Sequence, residues 1–154
     1  TYYGRGPFEN YIDRYSGAFI GRYEDKVENQ FYWYIRPQET GNKTDVRWLT
    51  LLDSGGLGVK ITGLQPIAFS ALHFSPEDLD PGLTRKLQHT IDIVPQKNIF
   101  LHVDLKQRGL GGDNSWGMYP HNEYRLLDKK YTYSYMIELV EKGSDKNDYL
   151  NSRK

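Results

Sequence analysis

The stretch Asn98-Ile-Phe-Leu-His-Val-Asp-Leu-Lys106 decides the fold class of this chain. Apolar residues recur at every second position of it, namely Ile99, Leu101, Val103 and Leu105. Because successive side chains of a β-strand point to opposite faces of a sheet, this row shares one face and leaves His102 and Asp104 on the other. The stretch is therefore predicted to be a strand that buries one face.

Further strands are predicted wherever this alternation returns or where β-branched and aromatic residues cluster. They cover residues 18–23, 30–36, 45–53, 57–62, 67–74, 90–94, 122–127 and 131–140. Residues 4–14 show neither period and are predicted to be a loop or arm. Ser75 followed by Pro76 and two acidic residues predicts one short helix near residues 76–80. Short strand spacings and turn residues indicate an all-β fold, an antiparallel β-sandwich.

Composition excludes several classes of protein. With 20 basic and 20 acidic residues among 154, the chain has no net charge to attract nucleic acid or an anionic membrane. It contains no apolar run of membrane-spanning length and no recognisable signal peptide, so a soluble protein is expected. The lack of cysteine excludes disulfides and a thiolate metal site but leaves the compartment open. One domain is expected over residues 4–141, followed by a polar, frayed tail at 142–154.

The stretch Gly109-Leu-Gly-Gly-Asp-Asn-Ser-Trp-Gly117 is the strongest candidate for a functional loop. Four glycines in nine residues allow backbone conformations that a merely structural turn rarely needs. Trp116, beside Asp113, Asn114 and Ser115, is a plausible platform for a sugar ring or another flat partner. The alternative is a long hairpin connection whose Trp116 folds back onto the core.

Other residues that carry chemistry do not form a recognisable set. His102 and Asp104 share a strand face, as a metal-binding or proton-transfer pair does, but the polar face of a strand is the simpler interpretation. His73, His89 and His121 have no metal-ligand spacing. No pair of carboxylates, nucleophile elbow or phosphate loop can be identified, so no residue is assigned to catalysis or to a metal.

Three motifs, in this order, carry a resemblance to a known family. They are Gly6-Pro-Phe-Glu-Asn-Tyr-Ile-Asp-Arg14, Tyr34-Ile-Arg-Pro-Gln-Glu-Thr-Gly-Asn-Lys-Thr-Asp-Val-Arg-Trp48 and Gly109-Leu-Gly-Gly-Asp-Asn-Ser-Trp116. The chain resembles the C-terminal part of the large bacterial β-galactosidases of glycoside hydrolase family 2. The resemblance implies roughly the second half of the last, small-chain domain of a five-domain enzyme, a supersandwich related to the galactose mutarotases.

The resemblance also implies a division of labour within a parent enzyme. The catalytic glutamates of this retaining hydrolase, and its magnesium and sodium ligands, belong to an α/β barrel outside this chain, so the isolated chain is expected to be inactive. Trp116 matches the tryptophan that stacks on the sugar at the pocket rim, with Asp113, Asn114 and Ser115 shaping its loop. Arg14 and Arg47 are expected to be structural, whereas the role of Glu39 stays open. The location stays unknown, since the resemblance implies a bacterial protein of either the cytoplasm or the periplasm.

Two alternatives and one consequence accompany this interpretation. The chain could be a stand-alone carbohydrate-binding, lectin-like module, or, by analogy of fold alone, a mutarotase-like epimerase that uses His102 or His73 with a carboxylate. Half of a supersandwich leaves sheet edges or an apolar face uncovered. Some self-association into a homo-oligomer is therefore expected, besides contacts with the remaining domains of the parent chain.

Overall fold

A computed structural model describes residues 1–80, 82–83, 88–114 and 116–141. The described residues form an all-β fold with six strands, which are β1 (Tyr2–Gly6), β2 (Phe19–Tyr23), β3 (Lys43–Leu52), β4 (Gly58–Leu72), β5 (Phe100–Asp104) and β6 (Tyr135–Val140). One short helix, α1 (Pro76–Leu79), follows β4. Turns of 3-10 helix occur at Val27–Asn29, Thr90–Asp92 and Asn122–Tyr124. The predicted frayed tail at 142–154 lies outside the described residues.

The strands build one antiparallel sheet in the order β2-β1-β3-β4-β5, with β6 also paired to β4. The first half of β4 pairs with β6, for example Ile61 with Ile137. Its second half pairs with β5, for example Ser70 with His102. Because β3 lies along the other side of β4, this long strand organises the sheet. The antiparallel all-β prediction is confirmed, and the described strands form one sheet.

Strand β4 replaces the two separate strands that the sequence predicts at 57–62 and 67–74. The interruption expected between them is a local irregularity in the pairing with β3. Val46 pairs with Ile67 and Trp48 pairs with Thr62, so two steps along β3 correspond to five steps along β4. Pro66 lies in this interval and has no N–H to donate to the ladder. The turn signal in the sequence therefore marks a bulge within one strand.

The predicted helix start is confirmed in detail. The Ser75 hydroxyl accepts a hydrogen bond from the Asp78 N–H at 3.2 Å, and the Asp78 carboxylate accepts one from the Ser75 N–H at 2.7 Å. This reciprocal capping box gives side-chain partners to the Ser75 and Asp78 N–H groups at the start of the helix. Pro76 occupies the start of the helix, where its missing N–H costs nothing.

The predicted arm at 4–14 is wrong at its beginning, where β1 pairs with both β2 and β3. The buried positions of β1 are Tyr2, Gly4 and Gly6, so the strand carries little of the apolar alternation that marks other strands. A Cβ added at Gly4 would lie 2.6 Å from the Val46 Cγ2 atom. Because the strands pack so closely, only glycine fits at this position, and the apolar alternation typical of a strand is missing from β1.

Three predicted strands, at 30–36, 90–94 and 122–127, are absent from the described residues. In the first, the aromatic side chains pack irregularly, with Phe31 and Phe74 ring centroids 4.4 Å apart. In the second, the Asp92 carboxylate accepts the His89 N–H at 2.7 Å and stabilises a 3-10 turn. In the third, the Tyr124 N–H donates to the His121 carbonyl. Local contacts, of side chains in the first two segments and of the backbone in the third, override strand propensity.

Apolar side chains pack in two clusters around β4. One cluster contains Tyr2, Val46, Leu49, Ile61, Ile67, Phe69 and Ala71. The other contains Phe31, Leu72, Phe74, Leu79 and Ile93. Because Phe69 and Leu72 project from opposite faces of the strand, both faces of its second half take part in packing.

Strand β6 packs much less completely. Ile137 is 62% exposed and Leu139 is 82% exposed, and among the described strands β6 pairs with β4 alone. It is therefore an edge strand with exposed apolar side chains. Among the described residues, the structure has no helix whose length and apolar character suit a membrane crossing.

Candidate functional site

The glycine loop, residues 109–117, has a backbone that requires glycine. Gly111, Gly112 and Gly117 have φ angles of 75°, 98° and 85°, in the left-handed region that other residues rarely adopt. At Gly109 the constraint is space, because an added Cβ would lie 2.6 Å from the Asp13 Oδ2 atom. The glycines therefore set the path of the loop and its contact with residue 13.

Side chains from the start of the chain hold this loop. The Gly111 N–H donates to the Asp13 Oδ2 atom at 2.8 Å, and the Arg14 guanidinium donates to the Gly111 carbonyl oxygen. The Gly109 N–H donates to the Tyr124 carbonyl at 2.7 Å. The Asp13 side chain is only 5% exposed, so its bond to Gly111 forms away from water. We call Asp13 and Arg14 the loop clamp.

Trp116 points away from the protein body. Its side chain is 91% exposed, so the alternative in which it folds back onto the core is wrong. The Asn114 side-chain carbonyl accepts the Trp116 N–H at 2.9 Å, a local turn that fixes the backbone at the tryptophan. Ser115, the remaining predicted member of the site, lies outside the described residues.

Asp113 is engaged by a histidine that follows the loop. The Asp113 Oδ2 atom lies 2.6 Å from the His121 Nε2 atom, and both side chains are more than half exposed. The hydrogen bond to Asp113, followed by the charge of that carboxylate, raises the pKa of His121 above its usual value. Asp113 therefore ties the far side of the loop to the segment that follows it.

The glycine loop and its surroundings expose an apolar surface. Leu110, Met118 and Tyr119 are each more than half exposed, as is Trp116. The Arg125 guanidinium carbon lies 5.3 Å from the centre of the Tyr119 ring. Aromatic faces bordered by polar groups are what a sugar ring contacts, through its C–H face and its hydroxyls respectively.

The two arginines expected to be structural make protein contacts. Arg14 belongs to the loop clamp described above. The Arg47 guanidinium donates to the Asp45 carbonyl and lies 6.0 Å from the centre of the Tyr3 ring. The structure thus ties Arg14 to the glycine loop and Arg47 to the neighbourhood of β1 and β3.

The remaining histidines do not combine into a metal site. His73 contacts the Gln96 carbonyl at 3.0 Å, and His89 lies 3.4 Å from Asp92. His102 and Asp104 are half-buried on β5, but so are Leu101 and Val103, so the predicted contrast between a buried and a polar face of this strand is wrong. Within the described part of the chain, no group of three or more His, Cys, Asp or Glu side chains could hold a metal ion.

His102 and Glu39, whose roles the sequence left open, line the same cleft. This cleft has a volume of about 290 Å³ and lies between β4, β5, α1 and the segment 37–40. The Tyr11 hydroxyl donates to the Glu39 carboxylate at 2.7 Å. Burial raises the pKa of Glu39, and hydrogen bonds from Tyr11 and Gln107 offset part of that effect.

Sequence reasoning missed the role of Asp13 and the cleft. Asp13 lies 98 positions from Gly111, and neither residue carries a local pattern that links them. The one available signal is that Asp13 and Arg14 end the first of the three motifs, whereas the glycine loop forms the third. The cleft depends on the β4–β5 register, which the alternation of one strand cannot fix.

Comparisons with known proteins give a consistent result. A family model described as the beta-galactosidase small chain matches residues 1–137. A β-galactosidase of Priestia megaterium (strain DSM 319 / IMG 1521) is 39% identical over 139 residues, which cover 90% of this chain and 13% of that protein. A β-galactosidase of Streptococcus thermophilus is 37% identical over 140 residues, with the same two coverages.

A third relative, β-galactosidase BgaC of Bifidobacterium adolescentis (strain ATCC 15703 / DSM 20083 / NCTC 11814 / E194a), is 36% identical over 128 residues. They cover 81% of this chain and 12% of that protein. The chain thus spans only 12–13% of the length of these relatives. The match to nearly the whole chain shows that it belongs to the β-galactosidase small-chain family.

Proposed function

We propose that this chain is part of a longer β-galactosidase, in which the glycine loop lends Trp116 to the rim of the pocket that holds a terminal β-D-galactoside. The observation that carries the proposal is the 91% exposure of Trp116 on a loop whose backbone is held by the loop clamp. An aromatic side chain on a fixed backbone can stack on the C–H face of a sugar without the entropic cost of ordering the loop. Relatives named β-galactosidase suggest the class of sugar.

In this proposal the chain binds and does not catalyse. A retaining glycosidase needs two carboxyl groups about 5–5.5 Å apart, one on each side of the glycosidic bond. Near the loop, Asp13 is bonded to Gly111 and Asp113 to His121. The hydrolytic carboxylates and the magnesium and sodium ligands are therefore assigned to the rest of the parent enzyme, and the isolated chain is inactive.

The neighbours of Trp116 shape the loop in this proposal. Asn114 fixes the Trp116 backbone through its side-chain carbonyl, and Asp113 ties the loop to His121. Ser115 is assigned the same shaping role on its position in the sequence alone. Direct contact with the sugar is assigned to Trp116.

The test is a Trp116→Ala substitution in the parent enzyme. Loss of one aromatic stacking contact, worth about 1 kcal/mol, lowers kcat/KM for lactose about fivefold or more. Trp116→Phe keeps a flat ring and should retain most of the activity. Trp33→Ala is the matched control, because Trp33 is also largely exposed but packs against Phe31, and it should leave kcat/KM unchanged.

Two outcomes would contradict the proposal. One is an unchanged kcat/KM in Trp116→Ala. The other is saturable binding of lactose by the isolated 154-residue chain that Trp116→Ala abolishes, which would support the lectin-like module instead. Hydrolysis of a β-galactoside by the isolated chain would refute the separate claim that catalysis lies elsewhere.

A further inference from the structure

The cleft between β4 and β5 has a floor that the sheet register fixes. Ser70 pairs with His102, and Leu72 pairs with Phe100. Because directly paired residues project from the same face, these four side chains form one patch. Site residues carried by paired strands are held more firmly than residues on loops. The cleft is therefore a formed feature of the fold, with a volume of about 290 Å³.

One side of the cleft is polar. Glu39 is reached by solvent through the opening, yet the protein around it is dense enough to raise the pKa of its carboxyl. Tyr11 donates to one of its oxygens. The His102 ring is near enough for its charge to favour the ionised form of Glu39. This carboxylate is thus accessible to a ligand and has a perturbed pKa, a combination that is common at binding sites.

Part of the lining is apolar. Phe74 and Leu79 are buried members of one core cluster, and Phe100 adds an aromatic ring from β5. Two carboxylates, those of Glu39 and Asp80, also line the cleft, and both already accept hydrogen bonds, Glu39 from Tyr11 and Asp80 from the Gly82 N–H at 3.0 Å. Because these carboxylates repel an anion and are already hydrogen-bonded, a neutral ligand is favoured.

These features together select a ligand class. A cavity of about 290 Å³ is at the lower end of small-molecule sites, roughly 300–1,000 Å³, so it suits a single ring. One polar side with a carboxylate and an imidazole suits hydroxyl groups, and aromatic walls suit a C–H face. We propose that this cleft binds the pyranose ring of a neutral monosaccharide, with Glu39 and His102 on its hydroxyls and Phe100 on its apolar face.

This site is separate from the surface around Trp116 and does not rest on the proposed function. No residue of the loop 109–117 lines the cleft among the described residues. The two places are nevertheless connected, because Tyr11 bonds Glu39 while Asp13 and Arg14, two and three residues later, hold the glycine loop. Tyr11 and Arg14 also bond each other through their backbones.

The test is a titration of the ¹⁵N-labelled 154-residue chain with methyl β-galactoside and methyl β-glucoside, followed by amide and histidine-ring NMR signals. A ligand of one ring is expected to bind with a Kd on the order of 1 mM. Saturable shifts should appear at Ser70, Phe100 and His102. Acyclic sorbitol, which offers hydroxyls but no ring face, should leave these signals unshifted.

Variants separate the cleft from the loop. Glu39→Gln and His102→Ala should each weaken binding at least fivefold, whereas Trp116→Ala should leave it unchanged. If Glu39→Gln loses the dispersed spectrum of the folded chain, Phe100→Leu takes its place with the same expected loss. If the proposal for Trp116 is wrong, the activity of the parent enzyme will show it, whereas the NMR shifts of the cleft residues will be unaffected.

Three results would overturn the cleft site. The first is the lack of saturable shifts with either glycoside at tenfold the expected Kd. The second is a set of shifts confined to the loop around Trp116. The third is equal shifts at His102 with sorbitol and with the glycosides, since a pyranose site must distinguish a ring from an open polyol.

Discussion

Lys43→Met is expected to stabilise the folded chain at neutral pH. Lys43 is 1% exposed, and its ammonium donates one hydrogen bond, to the Gly41 carbonyl at 3.1 Å. Burial lowers the pKa of Lys43 from 10.5 to about 8, although the charges of Glu9 and Asp25 favour its protonated form. A pKa difference of this size between the folded and unfolded states corresponds to about 3 kcal/mol.

The sign follows from which state binds the proton more weakly. The folded chain releases the proton near pH 8 and the unfolded chain near 10.5, so the whole cost of the buried charge is present below pH 8. It is relieved as the pH rises from 8 to 10.5. Methionine has a similar volume and no charge, but it removes the donor to Gly41, worth about 1 kcal/mol. A net gain of about 2 kcal/mol is expected at pH 7.

Urea unfolding of the 154-residue chain, followed by tryptophan fluorescence, measures this gain. The free energy of unfolding of Lys43→Met should exceed that of the original chain by about 2 kcal/mol at pH 7, and the gap should shrink by pH 10. Exposed Lys97 provides the control, since Lys97→Met should change neither value. A Lys43→Met chain less stable than the original at pH 7, or a gap that widens toward pH 10, would refute the reasoning.

Three further predictions concern the loop and the sheet edge. Asp13→Ala removes the buried acceptor of the Gly111 N–H and should cost about 1–3 kcal/mol, with faster amide exchange at Gly111; unchanged exchange would contradict the loop clamp. Asp113→Asn should lower the pKa of His121, measured by NMR titration, because the hydrogen bond and charge that raise it are weakened. The Asp113–His121 attraction is present below the usual histidine pKa and is lost as the pH rises through the raised one. Leu139→Lys should reduce self-association in sedimentation velocity, whereas exposed Leu83→Lys should not; a chain that is monomeric at high concentration before substitution would argue against an adhesive β6.

Alternation and capping identify the parts of the fold whose determinants are local. Strand β5 and helix α1 follow from patterns a few residues long, and both are present where the sequence predicts them. Strand β1 is not predicted from the sequence, because glycines at its buried positions hide the apolar alternation. The aromatic stretch 30–36 is wrongly predicted to be a strand, since its side chains are of types common in strands but pack around Phe74.

The candidate site divides in the same way. Glycine content identified the loop, and the left-handed angles at Gly111, Gly112 and Gly117 supply the physical reason. The exposure of Trp116 depends on how the loop leaves the sheet, so residue type alone left two orientations open. The pairing of Glu39 with His102 in one cleft depends on segments more than sixty residues apart. Contacts between segments that are distant in the chain cannot be predicted from the local sequence pattern of either segment.

The contact between Gly109 and Asp13 has a consequence for sequence variation. A methyl group at position 109 would lie 2.6 Å from the Asp13 Oδ2 atom and 2.8 Å from the Tyr124 Cβ atom, so a side chain is not tolerated there while both neighbours stay in place. Removing the carboxylate in turn deprives Gly111 of its acceptor. Variation at position 109 is thus constrained by the side chains at 13 and 124, so an exchange of the segment around 109 between two relatives should include the segments around 13 and 124.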